Sequence, residues 1–495
     1  MEATKANRLV KNGGQVFTPE FLVREILDFA GYKHGGIGRK HVIDNSCGNG
    51  AFLCEVVRRY ISDYVAANGS AAGVNEELEL YIHGIEIEDE AYRECRLRLD
   101  EAAAEYGVVG VLWDVRHADA LSVQDYNGRM DFVVGNPPYV RVHNLEGSYD
   151  AVKQFGFAQG GMTDIYLVFF ELGFRMLNAQ GRLCYITPSS WLSSLAASEM
   201  RSYIARHRTL SGLIDLGHFQ AFEGATTYTM IALFDLSKKG ECIVYYDYAA
   251  ELSGKKFVDT LTVDDIYIDG SFYIADRASL GVLRSIRTKP SPTIVKVKNG
   301  FATLADKVFI NDVCFDALTI PIIKASTGRW HRGFFPYDKK GKPLRKDEIF
   351  SNDEIARYMA DRKEKLLKGK TEEQMPQWYL YGRTQALKDV WSNKIAVSTI
   401  VKDVESIKVN EVPAGSGLYS GLYVLTDIDF RIISGIIKSQ GFIAYLRMLK
   451  NYKSGGYYTF NSKDLEQYIN YKLSHDEQSY RKTTFLYSST HQTRH

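Results

Sequence analysis

No run of eighteen apolar residues occurs anywhere in this chain, which excludes an ordinary membrane-spanning helix. The opening MEATKANRLVKNGG lacks the apolar centre of a secretion signal, so a cytoplasmic protein without membrane association is expected. Cysteine is scarce: six residues, at 47, 54, 95, 184, 242 and 314, with no CxxC pair among them. Such spacing indicates neither a disulfide framework nor a zinc site, and packed, reduced thiols with no metal are expected. Internal repeats and low-complexity tracts are missing as well. At 495 residues the chain is too long for one ordinary domain, and two or three are expected. Net charge is nearly absent at +1, yet residues 1–280 carry −12 and residues 281–495 carry +13. A basic C-terminal half suits a polyanionic partner.

What is present is a rhythm. The first 240 residues alternate short apolar runs with helical patterns, the signature of a mostly parallel α/β sheet. Strands are expected at 41–44, 80–86, 111–117, 130–135, 181–187, 210–217 and 228–235. Only a loop separates the last two, which places one antiparallel strand near an edge. Helices are expected at 50–67, 88–106 and 163–177; in the first, Phe52, Val56, Tyr60 and Tyr64 recur on one face. Residues 241–290, rich in Asp and Tyr and with strand-like pieces, read as a connecting segment. Residues 291–475 show short strands broken by Gly, Pro and Lys turns, with one charged helix near 353–368, and read as a separate α+β domain. A polar tail follows at 476–495.

The chemistry concentrates at strand ends. Asp44 closes the first strand and leads into Asn45-Ser46-Cys47-Gly48-Asn49-Gly50. Glycines there let backbone N–H groups approach a ligand at a helix N-terminus. A third glycine, required by a dinucleotide fingerprint, is replaced by Leu53. The preceding carboxylate would repel a pyrophosphate but receive an ammonium. Glu86 closes the second strand, where an acid can accept both hydroxyls of a ribose. Asp119, closing the third, can accept from an exocyclic amine. Gly135-Asn136-Pro137-Pro138-Tyr139 closes the fourth. Its prolines fix the backbone and leave carbonyls to accept, Asn136 adds an amide, and Tyr139 adds a flat ring. That is a seat for a planar group carrying –NH2. An amino-acid end, a ribose and an adenine without phosphate describe S-adenosylmethionine.

In these motifs the sequence resembles the gamma-class DNA adenine-N6 methyltransferases of the TaqI type, over roughly residues 13–236. The resemblance rests on Gln15-Val16-Phe17-Thr18-Pro19, the Asp44–Gly50 loop, Gly84-Ile85-Glu86-Ile87, Ala118-Asp119-Ala120-Leu121, GNPPY, and Ala221-Phe222-Glu223-Gly224-Ala225. Their order also matches, with a recognition domain last. One departure is Asn45, where the family usually has proline. The resemblance implies a Rossmann-like S-adenosylmethionine-dependent methyltransferase sheet over 1–240, mostly parallel with one antiparallel strand, followed by a C-terminal α+β target-recognition domain. Thr18 and the backbone of Asn45, Ser46 and Cys47, with Gly48 and Gly50, would hold the methionine carboxylate, and Asp44 its ammonium. Glu86 would take the ribose, Ile87 and Pro138 would pack on the cofactor, and Asp119 with Ala120 would meet the adenine amine. Asn136 and the Pro137 carbonyl would accept from a target amine, while Tyr139, and Phe222 opposite, would pack on the target base. That base must leave the duplex stack for a methyl donor to reach it.

In the C-terminal half, bases interleave with aromatics at 328–333, 378–383 and 450–457. Arginine can read guanine edges and lysine can neutralise phosphates, which makes Arg329, Trp330, Arg332, Arg383 and Lys453 candidate DNA contacts. The run 362–370 reads as a solvated helix. The expected partner is double-stranded DNA, bound by a monomer, with a cognate restriction endonuclease as companion where the locus encodes one. Two alternatives share the motif: a modification subunit of a multisubunit restriction system, and an NPPY-type methyltransferase acting on protein glutamine or ribosomal RNA. Both sit poorly with a large basic domain carried on the same chain.

Overall fold

The computed structural model describes residues 18–142, 152–159, 163–220, 222, 227–238, 242–249, 254–288, 292–312, 315–368, 370–373 and 375–475. Residues 15–17, 221, 223–225 and the tail from 476 lie outside this set. The chain divides into two compact units between Arg284 and Ser285.

The first unit is built on a nine-stranded sheet. Its strands are β1 (Val42–Asp44), β2 (Ile82–Glu86), β3 (Asp114–His117), β4 (Met130–Gly135), β5 (Leu177–Pro188), β6 (Leu210–Asp215), β7 (Thr229–Asp235), β8 (Ile243–Ala249) and β9 (Gly254–Leu261). Their order is β3-β2-β1-β4-β5-β7-β6-β8-β9. β1 and β2 are buried at every residue, as parallel strands covered on both faces are, and the burial includes the polar His83 and the terminal acids Asp44 and Glu86. Helices cover the sheet: α1 (Glu20–Ala30), α2 (Ala51–Asn68), α3 (Val74–Tyr81), α4 (Asp89–Ala104), α5 (Ile165–Met176) and α6 (Ser198–His207). In α2, Phe52, Leu53, Val56, Val57, Tyr60 and Ile61 form the buried face, at the three-and-four spacing of a single helical stripe.

The sheet departs from expectation on the side beyond β5. Residues 241–290 read as a connection, but β8 pairs parallel with β6 and β9 pairs antiparallel with β8. Two strands, β7 and β9, therefore run against the rest, and β7 sits inside the sheet rather than near its edge. A small hairpin of β10 (Tyr267–Ile268) and β11 (Ser271–Phe272) and the helix α7 (Arg277–Thr288) follow.

The described residues of the second unit hold three small sheets. One is antiparallel, of β12 (Lys296–Asn299), β19 (Leu422–Leu425), β15 (Lys394–Val397) and β17 (Val409–Val412); another is β14 (Arg329–Phe334), β13 (Thr319–Lys324) and β18 (Gly417–Tyr419); the third is β16 (Ile400–Val401), β21 (Tyr457–Thr459) and β20 (Tyr452–Lys453). The charged helix expected near 353–368 is two, α8 (Asp353–Ala360) and α9 (Lys363–Leu367). Asn352 caps the first by accepting from the Glu354 and Ile355 amides. The aromatics of 378–383 are core rather than surface. Trp378, Tyr379 and Tyr381 are buried, and the Tyr381 hydroxyl donates to the Phe334 carbonyl at 2.7 Å. Of the large side chains in that run, only Arg383 is exposed.

Candidate active site

Strand order reverses between β1 and β4: β2 and β3 build outward on one side, β5 on the other. In such sheets the crevice lies beyond the carboxyl ends of the two strands at the reversal. Asp44 ends β1 and Gly135 ends β4, and the two touch. A Cβ on Gly135, whose φ is +151°, would lie 2.7 Å from Asp44 Oδ1. Only glycine lets the strand tips close to this distance. The Asp44 carboxyl is 1% exposed and accepts from the Ser46 amide at 3.1 Å. Burial, with the Glu86 charge as a lesser cause, pushes it up to about 7 against the lowering effect of that amide.

Beyond Gly135 the backbone presents Asn136, Pro137, Pro138 and Tyr139. Asn136 Nδ2 donates to Thr18 Oγ1 at 3.1 Å, and the Tyr139 hydroxyl contacts both Asn136 Oδ1 at 2.5 Å and the Ile186 carbonyl at 3.0 Å. The amide is thus oriented from two sides, by residues far apart in sequence. Pro137 is buried and Pro138 half-buried. Burial pushes the Tyr139 phenol well above its ordinary value, so it stays a neutral donor. Phe222 is 2% exposed and meets the Tyr139 ring edge-on, with centroids 6.4 Å apart and planes at 70°.

The glycine turn is tied to β2. Glu86 Oε2 accepts from the Gly48 amide at 2.8 Å and Oε1 from the Glu88 amide at 2.8 Å; each oxygen retains a second lone pair. The Cys47 amide donates to the Ile85 carbonyl at 3.0 Å. Gly50, left-handed at φ +84°, lets α2 start against α4, since a Cβ would lie 2.8 Å from Cys95 Sγ. Cys47 is a packing residue, its sulfur 3.9 Å from that of Cys95; this contact and burial push its thiol up, which suppresses the thiolate. Ile87 is 58% exposed beside the turn. Asp119 accepts from the Leu121 amide at 3.0 Å, opening a short turn that buries Ala120.

Thr18, the 44–50 turn, Glu86, Ile87, Asp119, Ala120, 136–139 and Phe222 therefore share the carboxyl-terminal rim of β1–β4. Two features suit a cationic, hydrogen-bonding ligand. Asp44 has no Lys, Arg or His within ion-pair distance among the described residues, and the Ser46 hydroxyl is buried without a hydrogen-bond partner. The described residues hold no cluster of three or more His, Cys, Asp or Glu fit for a metal, and none of their helices is long and apolar enough to cross a membrane. Two supporting residues escaped the sequence reading. The Tyr185 hydroxyl donates to Asn45 Oδ1 at 2.8 Å, and Tyr166, edge-on to Tyr139, hydrogen-bonds Ser190 at 3.0 Å.

The second-unit candidates do not converge. Arg329, Trp330 and Arg332 lie on β14, an end strand of its sheet; Trp330 is 46% exposed, while the Arg332 amide donates to Asp312 at 3.1 Å. Arg383 is anchored in a loop, its amide donating to the Ala302 carbonyl at 3.1 Å. Lys453 lies on β20 of a different sheet.

Residues 112–222 match the sequence model of the family described as Eco57I restriction-modification methylase. The chain is similar to the type II methyltransferase M.XhoI of Xanthomonas vasicola, 27% identical over 332 residues that cover 61% of this chain and 60% of the relative. It is also similar to the type II restriction enzyme and methyltransferase RM.Eco57I of Escherichia coli, 24% identical over 56% of this chain and 33% of that protein. The chain thus spans about three-fifths of the first relative and a third of the second. Among solved structures, the type IIL restriction-modification enzyme MmeI in complex with DNA shares the fold, with a TM-score of 0.62 at 12% identity over 90% of this chain and 63% of that one.

Proposed function

We propose that this relative of the restriction-modification methyltransferases moves a methyl group from S-adenosylmethionine to N6 of an adenine swung out of duplex DNA. The observation that carries the reading is the closeness of Gly135 to Asp44, which sets the Asn136–Tyr139 notch beside the glycine turn. Asp44 receives the cofactor's ammonium, which explains a buried carboxylate that lacks a cation. Thr18, whose hydroxyl accepts from Asn136 and keeps its proton to donate, faces the carboxylate end together with Ser46. Glu86 takes the ribose hydroxyls on its remaining lone pairs, Ile87 and Pro138 pack on the cofactor, and Asp119 beside Ala120 meets its adenine.

When bound, S-adenosylmethionine supplies a methyl carbon made electrophilic by its sulfonium. The protein's task is to raise the nucleophilicity of an aromatic amine and to aim it. Asn136 Oδ1 and the Pro137 carbonyl accept the two N6 hydrogens, drawing the nitrogen lone pair out of conjugation and toward the methyl carbon. Transfer of that methyl would leave the carbon–sulfur pair on sulfur, and the proton displaced from N6 would pass from the Asn136 and Pro137 acceptors to water. Tyr139 carries the base on its face. Two stacking contacts of about 3.5 Å need parallel rings about 7 Å apart, so Phe222 turns from its edge-on position when a base enters.

Labelled methyl groups offered to the purified chain with unmodified duplex DNA test this directly. N6-methyladenine in the nucleoside digest is the expected product. N4-methylcytosine would reassign the base, and label found only in protein or RNA, or no transfer, would overturn the reading.

A further inference from the structure

Two clefts of the second unit meet at a single residue, Asn299, the last of β12. One, of about 410 Å³, is walled by Lys298, Lys340 and Lys388 together with Asn299 and Thr384. The other, of about 350 Å³, is walled by Ser326, Thr399 and Ser420 beside Asn299. They adjoin as one groove of mixed polar and apolar lining at the sheet end where Asn299 of β12 faces Leu422 of β19.

In the first cleft lysines outnumber acids three to one, and the second holds no charged side chain. Among the described residues Asp389 is the only acid in the groove's wall, and it is already engaged: Lys298 Nζ donates to it at 2.8 Å and the Tyr423 hydroxyl at 2.6 Å. Burial opposes its ionisation, yet these partners hold its carboxyl below the usual range. Lys340 and Lys388 have no carboxylate within ion-pair distance among the described residues. Gly341 keeps the two together. It is left-handed at φ +74°, and a Cβ there would lie 2.8 Å from the Lys388 amide nitrogen. Beneath them the buried Lys394 donates to the carbonyls of Asp389, Val390 and Ser392 at 2.8, 3.3 and 2.9 Å, fixing the loop that carries Lys388. Gln385 is committed to the Gly300 carbonyl at 2.5 Å. The exposed Asn299 amide makes no hydrogen bond among the described residues and offers two donors and an acceptor.

We infer that this groove, in place of the strand bearing Arg329 and Arg332, seats the recognised duplex, with Lys340 and Lys388 on phosphates and Asn299 against a base edge. An asparagine amide matches the paired donor and acceptor that adenine shows in the major groove. The inference rests on the proposed action on DNA and adds the residues that choose the site.

Modified-base sequencing of DNA from cells expressing the full chain, combined with duplex binding by the purified protein, tests it. The unaltered chain marks one motif. Asn299→Ala is expected to mark that motif and its variants at one fixed position, with discrimination there reduced about tenfold or more. Lys340→Ala with Lys388→Ala keeps the motif, while the slope of log affinity against log salt becomes shallower by about two. An unchanged motif in the first variant, or an unchanged slope in the second, overturns the inference. If the unaltered chain marks no DNA, the functional reading fails separately, and the binding comparison still decides whether the lysines contact a duplex. Arg329→Ala with Arg332→Ala serves as the contrast: a relaxed motif there and not in Asn299→Ala counts against the groove.

Discussion

At the scale of single residues, the proposed chemistry rests on an amide and a carboxyl. Asn136→Ala removes an acceptor but little volume, and transfer is expected to fall by about two to three orders of magnitude, while duplex and cofactor affinities change less than about threefold. Equilibrium binding measured beside single-turnover methylation separates these, and preserved turnover would remove the role. Asp44 behaves oppositely to an ordinary paired carboxylate. Raised to about 7 by burial, it holds its proton in the folded state at pH values where the unfolded chain, with a carboxyl near 4, has lost it. Its contribution therefore disfavours folding increasingly as pH rises from about 4 to 7, and the penalty is complete above 7. Two outcomes follow. Cofactor affinity measured by calorimetry should drop about tenfold per pH unit once the solution is well below pH 7, and Asp44→Asn should flatten that dependence. The same variant should melt higher than the parent at pH 8 without cofactor, although it binds cofactor more weakly. A lower melting temperature would contradict the description of Asp44 as an uncompensated buried acid.

At the scale of elements, strands buried on both faces were the most legible. β4 occupies 130–135 as read from its apolar run, and α2, α4 and α5 fall within two residues of the helical patterns. β3 begins only at Asp114, because the preceding apolar residues leave the sheet; Leu112 is 73% exposed. That the strand-like pieces of 241–290 belong to the central sheet is hidden for a different reason. The tyrosines and aspartate of β8 look polar in IVYYDYA, yet Tyr245 is 1% exposed and donates to Asp247, while Tyr246 packs edge-on against Phe29 of α1. A phenol can enter a core when its hydroxyl finds an acceptor, and that acceptor is not visible from the apolar pattern. For the same reason the acids at strand ends could be read from sequence, whereas the Tyr185–Asn45 and Thr18–Asn136 bonds could not: they join segments more than a hundred residues apart. The loop after β5 offers a test at this scale. Arg201, 3% exposed, donates to the carbonyls of Trp191, Ser194 and Gly270 at 2.9, 2.7 and 2.9 Å. Arg201→Met should cost about 2–3 kcal/mol in denaturant unfolding by orphaning those carbonyls; a loss below about 0.5 kcal/mol would show that water replaces the guanidinium. Gly135→Ala should weaken cofactor binding far more than duplex binding, since its Cβ intrudes on Asp44; equal effects on both would argue against that contact.

At the scale of the whole molecule, charge is partitioned between the units, with residues 1–284 at −11 and residues 285–495 at +12. On the proposed reading, a polyanion gripped by the second unit would release counterions, whereas a cofactor held by Asp44 and Glu86 would engage few. Raising salt from about 50 to 200 mM should therefore lower duplex affinity by at least about tenfold and leave cofactor affinity within about twofold. Parallel losses would mean that the charge asymmetry is unrelated to binding.

The width of the central sheet carries a further consequence. Among the described residues it terminates at β3 on one side and β9 on the other, and an unprotected border strand is a template on which a second molecule can stack. β3 is only four residues long, and β9 carries consecutive lysines, Lys255 and Lys256, the first paired with Glu25. A brief strand and one bearing lysines are poor templates, so the two border strands also guard the protein against lateral aggregation.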